Sequence, residues 1–170
     1  NVLTRLEAEA LLSGIMLDTK NFVLKTGVRT FEAAAYLRQR GADTVEVKRL
    51  FSNSIDSYKA KYQLVSNAEI YHQCAIACAD TVPSNVRVTA AQAADELLGL
   101  QDVRASFVVY PADGNINISA RSLGDINVQL VMEQLGGGGH QTMAGAQIEH
   151  ESVEHVKSQL MEIIDSLGQQ

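Results

Sequence analysis

The apolar pattern changes character near Tyr71, and that change limits the fold more than any other feature of the chain. Before it, apolar residues recur only at helical spacing. Leu3, Leu6, Ala10, Leu11 and Ile15 form one stripe of a helix over Leu3–Leu17, with Glu7 and Glu9 outside that stripe. Thr30–Arg40 reads as a second helix stopped by Gly41, and Asp43 with Glu46 three residues on reads as the capping box of a third, to about Phe51. Ser54 to about Tyr71 reads as a longer helix joining two halves. After Tyr71, strands and helices alternate. Tyr71–Asp80 is expected to be a strand beginning at His72, with a turn at Pro83-Ser84-Asn85 and a helix over Ala90–Leu98. Ala105–Tyr110 and Ile116–Ala120 are strands across a hairpin at Pro111–Asn115. A helix over 125–135, a strand over 142–148 and a last helix over 151–167 complete the chain. The expected architecture is therefore α/β: a mixed-sheet domain over 61–170, preceded by a mostly helical segment over 1–60.

Composition narrows the class of ligand. The chain carries 14 basic and 20 acidic residues, a net charge of −6. Coating long nucleic acid takes a basic surplus, because phosphate neutralisation supplies most of that affinity. A short anionic ligand needs only a few local donors. No apolar run reaches the roughly 18 residues of a membrane span, so no membrane contact is expected. Cys74 and Cys78 are the two cysteines. On a buried strand they point the same way as Ile76 while three alanines face the other side. They are read as core thiols in a reducing, cytoplasmic setting.

Four consecutive glycines, Gly136–Gly139, precede His140. Such a run can present successive backbone N–H groups to an anion, and it can equally end a helix. Both readings are open from the residues alone. Arg121, on the strand leading into the preceding helix, adds a fixed charge whose planar fork suits phosphate. No Gly-Lys-Ser/Thr follows, so the run is not a P-loop. Asp18, after the apolar run Gly14–Leu17, is either a carboxylate aimed at a divalent cation or a helix-end residue making Asx-type bonds to the following backbone. His150 and His155, five apart, have poor spacing for a shared metal and are read as surface residues.

Residues 12–22, Leu-Ser-Gly-Ile-Met-Leu-Asp-Thr-Lys-Asn-Phe, resemble the last metal motif of the DHH phosphoesterases. Asn-Ile-Ser-Ala-Arg-Ser at 117–122, then Asn127 and Gly-Gly-Gly-Gly-His at 136–140, resemble the DHH-associated domain. The wording of residues 16–22 is most similar to the cyclic-di-AMP phosphodiesterases of Gram-positive bacteria. The resemblance implies a metal-dependent phosphodiesterase with a paired manganese (Mn2+) centre, converting cyclic di-AMP to linear pApA. Asp18 would be one metal ligand. Arg121, Gly136, Gly137, Gly138, Gly139 and His140 would grip the substrate, with Ser119 a neighbour able to touch it. A nano-RNase acting on short oligoribonucleotides, a nucleotide bisphosphate phosphatase and a non-catalytic nucleotide-binding module are the alternatives, with an interaction domain a fourth.

One departure from the family pattern matters. Neither an Asp-x-Asp nor an Asp-His-His string occurs in residues 1–170, and those motifs supply most of the family's metal ligands. With Asn1 in place of a methionine, the chain is expected to be the C-terminal part of a longer, membrane-anchored protein able to form a homodimer. By itself it is expected to bind nucleotide weakly and to hydrolyse none.

Overall fold

A computed structural model describes residues 3–79 and 86–167. The chain divides into two compact units between Asn53 and Ser54.

The first unit holds three helices: α1 (Arg5–Asp18), α2 (Val28–Gln39) and α3 (Thr44–Leu50). Thr4 starts α1 with a complete capping box: its hydroxyl accepts from the Glu7 amide at 3.3 Å, and its own amide donates to Glu7 at 2.7 Å. Ala8, Leu12, Leu37, Ala42 and Val47 bury together between the three helices. Two sequence expectations change here. Glu9 faces this core instead of solvent: its Oε1 accepts from Arg5 Nε at 2.8 Å and from the Asp43 amide at 3.2 Å. That second bond replaces the capping box expected at α3. Asp43 still accepts from the Val45 amide at 2.8 Å, but Glu46 turns away to pair with Arg49.

The second unit is a six-stranded mixed sheet with helices on both faces. Its elements are α4 (Ile55–Ser66), β1 (Glu69–Tyr71), β2 (Cys74–Cys78), α5 (Val86–Leu97), β3 (Ala105–Ala112), β4 (Asn115–Ser122), α6 (Val128–Glu133), β5 (Gly138–His140), β6 (Met143–Glu149) and α7 (Val153–Leu167). The strand order is β1-β2-β3-β4-β6-β5, antiparallel throughout except for the β2–β3 pair, whose parallel return runs through α5. The expected division at residue 60 moves to 53, because Leu64 of α4 buries in the same core as α5.

The two sheet faces differ in how far they are covered. Cys74, Ile76, Phe107, Ile118 and Ala146 point to one face, under α6 and α7. Ala75 and Ala77 point to the other, against Ala90, Ala93 and Ala94 of α5. Alanine on alanine lets that helix lie close to the sheet, so the three small residues seen in the sequence have a packing reason.

The strand expected over Tyr71–Asp80 is instead a hairpin. His72 and Gln73 form a two-residue turn, both at positive φ (46° and 64°), and Tyr71 pairs with Cys74 across it. His72 therefore occupies a turn and does not begin a strand. Asp113 and Gly114 make the expected β3–β4 turn in the same way, with φ of 52° and 79°. The turn expected at Pro83-Ser84-Asn85 lies outside the described residues. Among the described residues, no helix is long and apolar enough to cross a membrane.

Candidate functional site

Side chains alternate along a strand, so register alone decides which residues share a face. Arg121 of β4 is paired with Ser106 of β3 on one side and Met143 of β6 on the other, and Met143 is paired with His140 of β5. One row across the sheet thus reads Ser106, Arg121, Met143, His140. The next row reads Val108, Ser119, Gly145, Gly138. Both rows lie on the face that carries α5.

Helix α5 covers only part of that face. Ser106 and Val108 are fully buried beneath it, Arg121 and Ser119 are half-buried, and Met143 and His140 are exposed. The face beyond β4 is open, and four of the candidate residues named from sequence stand on it together: Arg121, Ser119, Gly138 and His140. Strands lie about 4.8 Å apart, so the row from Arg121 to His140 spans roughly 10 Å.

Arg121 stands at the edge of the α5 cover. Its Nε donates to Oδ1 of Asp95 on α5 at 3.0 Å, and its Nη1 donates to the Ala120 carbonyl at 2.9 Å. Its side chain is 11% exposed. Asp95 was invisible to sequence reasoning, since nothing in the local pattern of α5 links it to a strand 26 residues away. Nδ1 of His140 bonds the Gly139 carbonyl at 3.0 Å, which requires the proton on Nδ1 and leaves Nε2 for another group.

The glycine run is not a loop. The Gly136 and Gly137 amides donate to the carbonyls of Glu133 and Met132 at 3.1 and 2.8 Å, which closes α6. Gly138 and Gly139 are already in β5. A Cβ on Gly137 or Gly139 would run into the backbone of β6, so these two glycines have a packing reason that the sequence does not announce. Gly138 differs: a Cβ there would meet nothing within 4 Å. It leaves bare backbone on the open face, next to Gly145.

Asp18 is the last residue of α1 and is exposed. The turn after it is held by Thr19 instead of by an Asx bond from Asp18. The Thr19 hydroxyl donates to the Ile15 carbonyl at 2.7 Å and accepts from the Phe22 amide at 2.9 Å, while Lys20, Asn21 and Phe22 take positive φ. Among the described residues, no group of three His, Cys, Asp or Glu side chains could hold a metal ion. Manganese takes about six oxygen-rich ligands. Asp18 offers one carboxylate, so the residues present do not form the paired centre that the resemblance implies.

The open rows combine a guanidinium, a hydroxyl, bare backbone and an imidazole. Ser119 and His140 lie two strands apart, beyond hydrogen-bond reach, so they do not form a nucleophile–base pair. The arrangement suits holding an anion.

The DHHA1 domain matches residues 78–169. A cyclic-di-AMP phosphodiesterase GdpP from Geobacillus thermodenitrificans is 51% identical over 164 residues, covering 95% of this chain and 25% of its own length. A cyclic-di-AMP phosphodiesterase PdeA from Listeria monocytogenes is 48% identical, with the same coverage. The chain thus spans about a quarter of the curated relatives it matches. Among solved structures, an exopolyphosphatase-related protein from Bacteroides fragilis shares the fold, with a TM-score of 0.83 at 20% identity over 98% of this chain and 53% of that one. On the match over 78–169, this chain belongs to the DHHA1 domain family.

Proposed function

We propose that the open half of the sheet is the substrate grip of a phosphodiesterase that hydrolyses cyclic di-AMP to pApA. One observation carries the reading: register sets Arg121, Ser119, Gly138 and His140 in two adjacent rows of a sheet face that α5 covers only as far as β4. The names of relatives 46–51% identical to this chain supply the substrate. Arg121 binds a phosphate oxygen through its remaining N–H donors. Ser119 and the bare backbone at Gly138 let the ligand approach the sheet, and His140 closes the far end of the row. These contacts fix the nucleotide's position, which is how a residue remote from the breaking bond contributes to rate.

Manganese belongs to this reading as the metal of the longer protein, with Asp18 supplying a single ligand. The other ligands would come from residues this chain does not contain, so no hydrolytic step is assigned to the residues described here. Membrane anchoring and pairing into a homodimer likewise belong to the longer protein and rest on the family resemblance.

The test is an NMR titration of the 15N-labelled chain with cyclic di-AMP and with pApA. Amides of residues 119–121 and 138–145 should shift together, and Arg121→Ala should raise Kd at least tenfold, about 1.4 kcal/mol. With manganese added, the chain should release no pApA above a no-protein control. Shifts confined to other elements, an unchanged Kd in Arg121→Ala, or turnover by this chain would each overturn the proposal.

A further inference from the structure

We propose that Asp95 is a positioning residue for Arg121: it holds the guanidinium so that its free N–H donors face the open rows of the sheet. The inference rests on the substrate grip described above and adds a residue to it. Of the Arg121 donors, Asp95 accepts from Nε, at 3.0 Å, and the Ala120 carbonyl takes one donor of Nη1. A guanidinium has five N–H donors, so three remain for ligand oxygens. Held through Nε and Nη1, the plane has little freedom to rotate, and phosphate binding loses less side-chain entropy than it would with a loose arginine.

The position of Asp95 is itself fixed. The residue before it, Ala94, accepts the Ser106 hydroxyl on its carbonyl at 2.6 Å, and both residues are completely buried. Ser106 is the β3 register partner of Arg121. The turn of α5 that carries Asp95 is thus tied to the same row as the arginine it orients. Asp95 is 31% exposed against 11% for Arg121, so the pair sits at the rim of the α5 cover, where a ligand on the open face meets it.

Charge alone predicts the opposite sign. Removing a carboxylate 3.0 Å from Arg121 raises the local positive potential, and an anion would then bind more tightly. Positioning predicts weaker binding. Kd for pApA, measured by NMR titration in wild type, Asp95→Ala, Asp95→Asn, Arg121→Ala and the Asp95→Ala/Arg121→Ala double variant, separates the two, with a thermal melt of each to confirm folding. Asp95→Ala should raise Kd about fivefold or more. Asp95→Asn should recover most of the affinity, because its amide oxygen still accepts from Nε. In the Arg121→Ala background, Asp95→Ala should add nothing, a coupling that a general loss of stability would not produce. Tighter or unchanged binding in Asp95→Ala, or an equal loss in both backgrounds, overturns the positioning role while Arg121→Ala still weakens binding. If Arg121→Ala leaves Kd unchanged, the substrate grip fails and this inference fails with it.

Discussion

A Cβ on Gly137 would lie 2.7 Å from the Cα of Ala146, and closer still to the Gly145 carbonyl. Backbone cannot step aside as a flexible side-chain tip can, so Gly137→Ala is expected to part β5 from β6 at a cost of about 3 kcal/mol. Gly138→Ala, one residue on, meets open space and should leave the stability within about 0.5 kcal/mol of wild type. Its methyl group would stand on the open face beside Gly145, so its effect should appear in dinucleotide binding, as a Kd raised severalfold. Thermal melts and a pApA titration on both variants check the contrast. A stable Gly137→Ala, or a Gly138→Ala that unfolds, would contradict it.

The first unit should weaken in acid. The bond from Arg5 holds the Glu9 carboxyl below its ordinary pKa, with the Asp43 amide adding to the effect. Glu7, bonded by the Thr4 backbone and hydroxyl, and Asp43, bonded by the Val45 amide, are lowered as well. A carboxyl whose pKa is lowered in the folded state contributes stability above its unfolded pKa and loses it as pH falls through the folded value. Unfolding of the three helices should therefore become easier from about pH 4 downward. Glu9→Gln keeps an acceptor for Arg5 but removes the proton-linked part. Its melting temperature should be lower than wild type at pH 7, and the gap should narrow at pH 3. Circular dichroism melts at the two pH values measure this, and a gap that does not change with pH would refute the role given to Glu9.

Much of the second unit was legible because its signals are local. The period of α7 and the Asp113-Gly114 hairpin are written in adjacent residues, and the structure follows them closely. The features that escaped are tertiary. Glu9 lies off the apolar stripe, and only the Asp43 amide, 34 residues away, explains why it is buried. His72-Gln73 carries none of the Asn-Gly or Asp-Gly chemistry that marks a two-residue turn, so the sequence puts β1 at the end of the helix expected to Tyr71 and the turn inside the strand with β2. The glycine run stayed open between two readings because sequence cannot show the backbone of β6 pressing on Gly137 and Gly139. The site was half legible. Arg121, Ser119 and His140 were identifiable as residue types, whereas their alignment in adjacent rows depends on β5, a three-residue strand too short to announce itself.

Cys74 should be chemically silent. Burial pushes its thiol up to about 11, so at pH 8 roughly one molecule in a thousand carries the thiolate that alkylating reagents attack. Iodoacetamide at pH 8 should leave Cys74 unmodified in the folded chain and modify it promptly in 6 M guanidinium, read by peptide mass. Cys74→Ser would put a hydroxyl among Ile76, Phe107 and Ile164 and should cost about 1–3 kcal/mol. Rapid labelling of native Cys74 would mean that β2 opens readily.

Met143 stands between Arg121 and His140 in the open row and is 44% exposed. Its neighbours on both sides are polar, so it is the apolar patch on which a purine ring could rest while Arg121 holds phosphate. Met143→Ala should raise Kd for pApA by a few-fold through lost contact area alone. Met143→Glu sets a negative charge about 5 Å from the Arg121 strand position and should raise Kd more than tenfold at low salt, with the deficit shrinking as salt screens the new charge. Neither change touches the buried core, so both variants should melt close to wild type. Titrations at 50 and 500 mM salt distinguish the two effects. A Met143→Glu variant that binds pApA as wild type does would place the ligand elsewhere on the molecule.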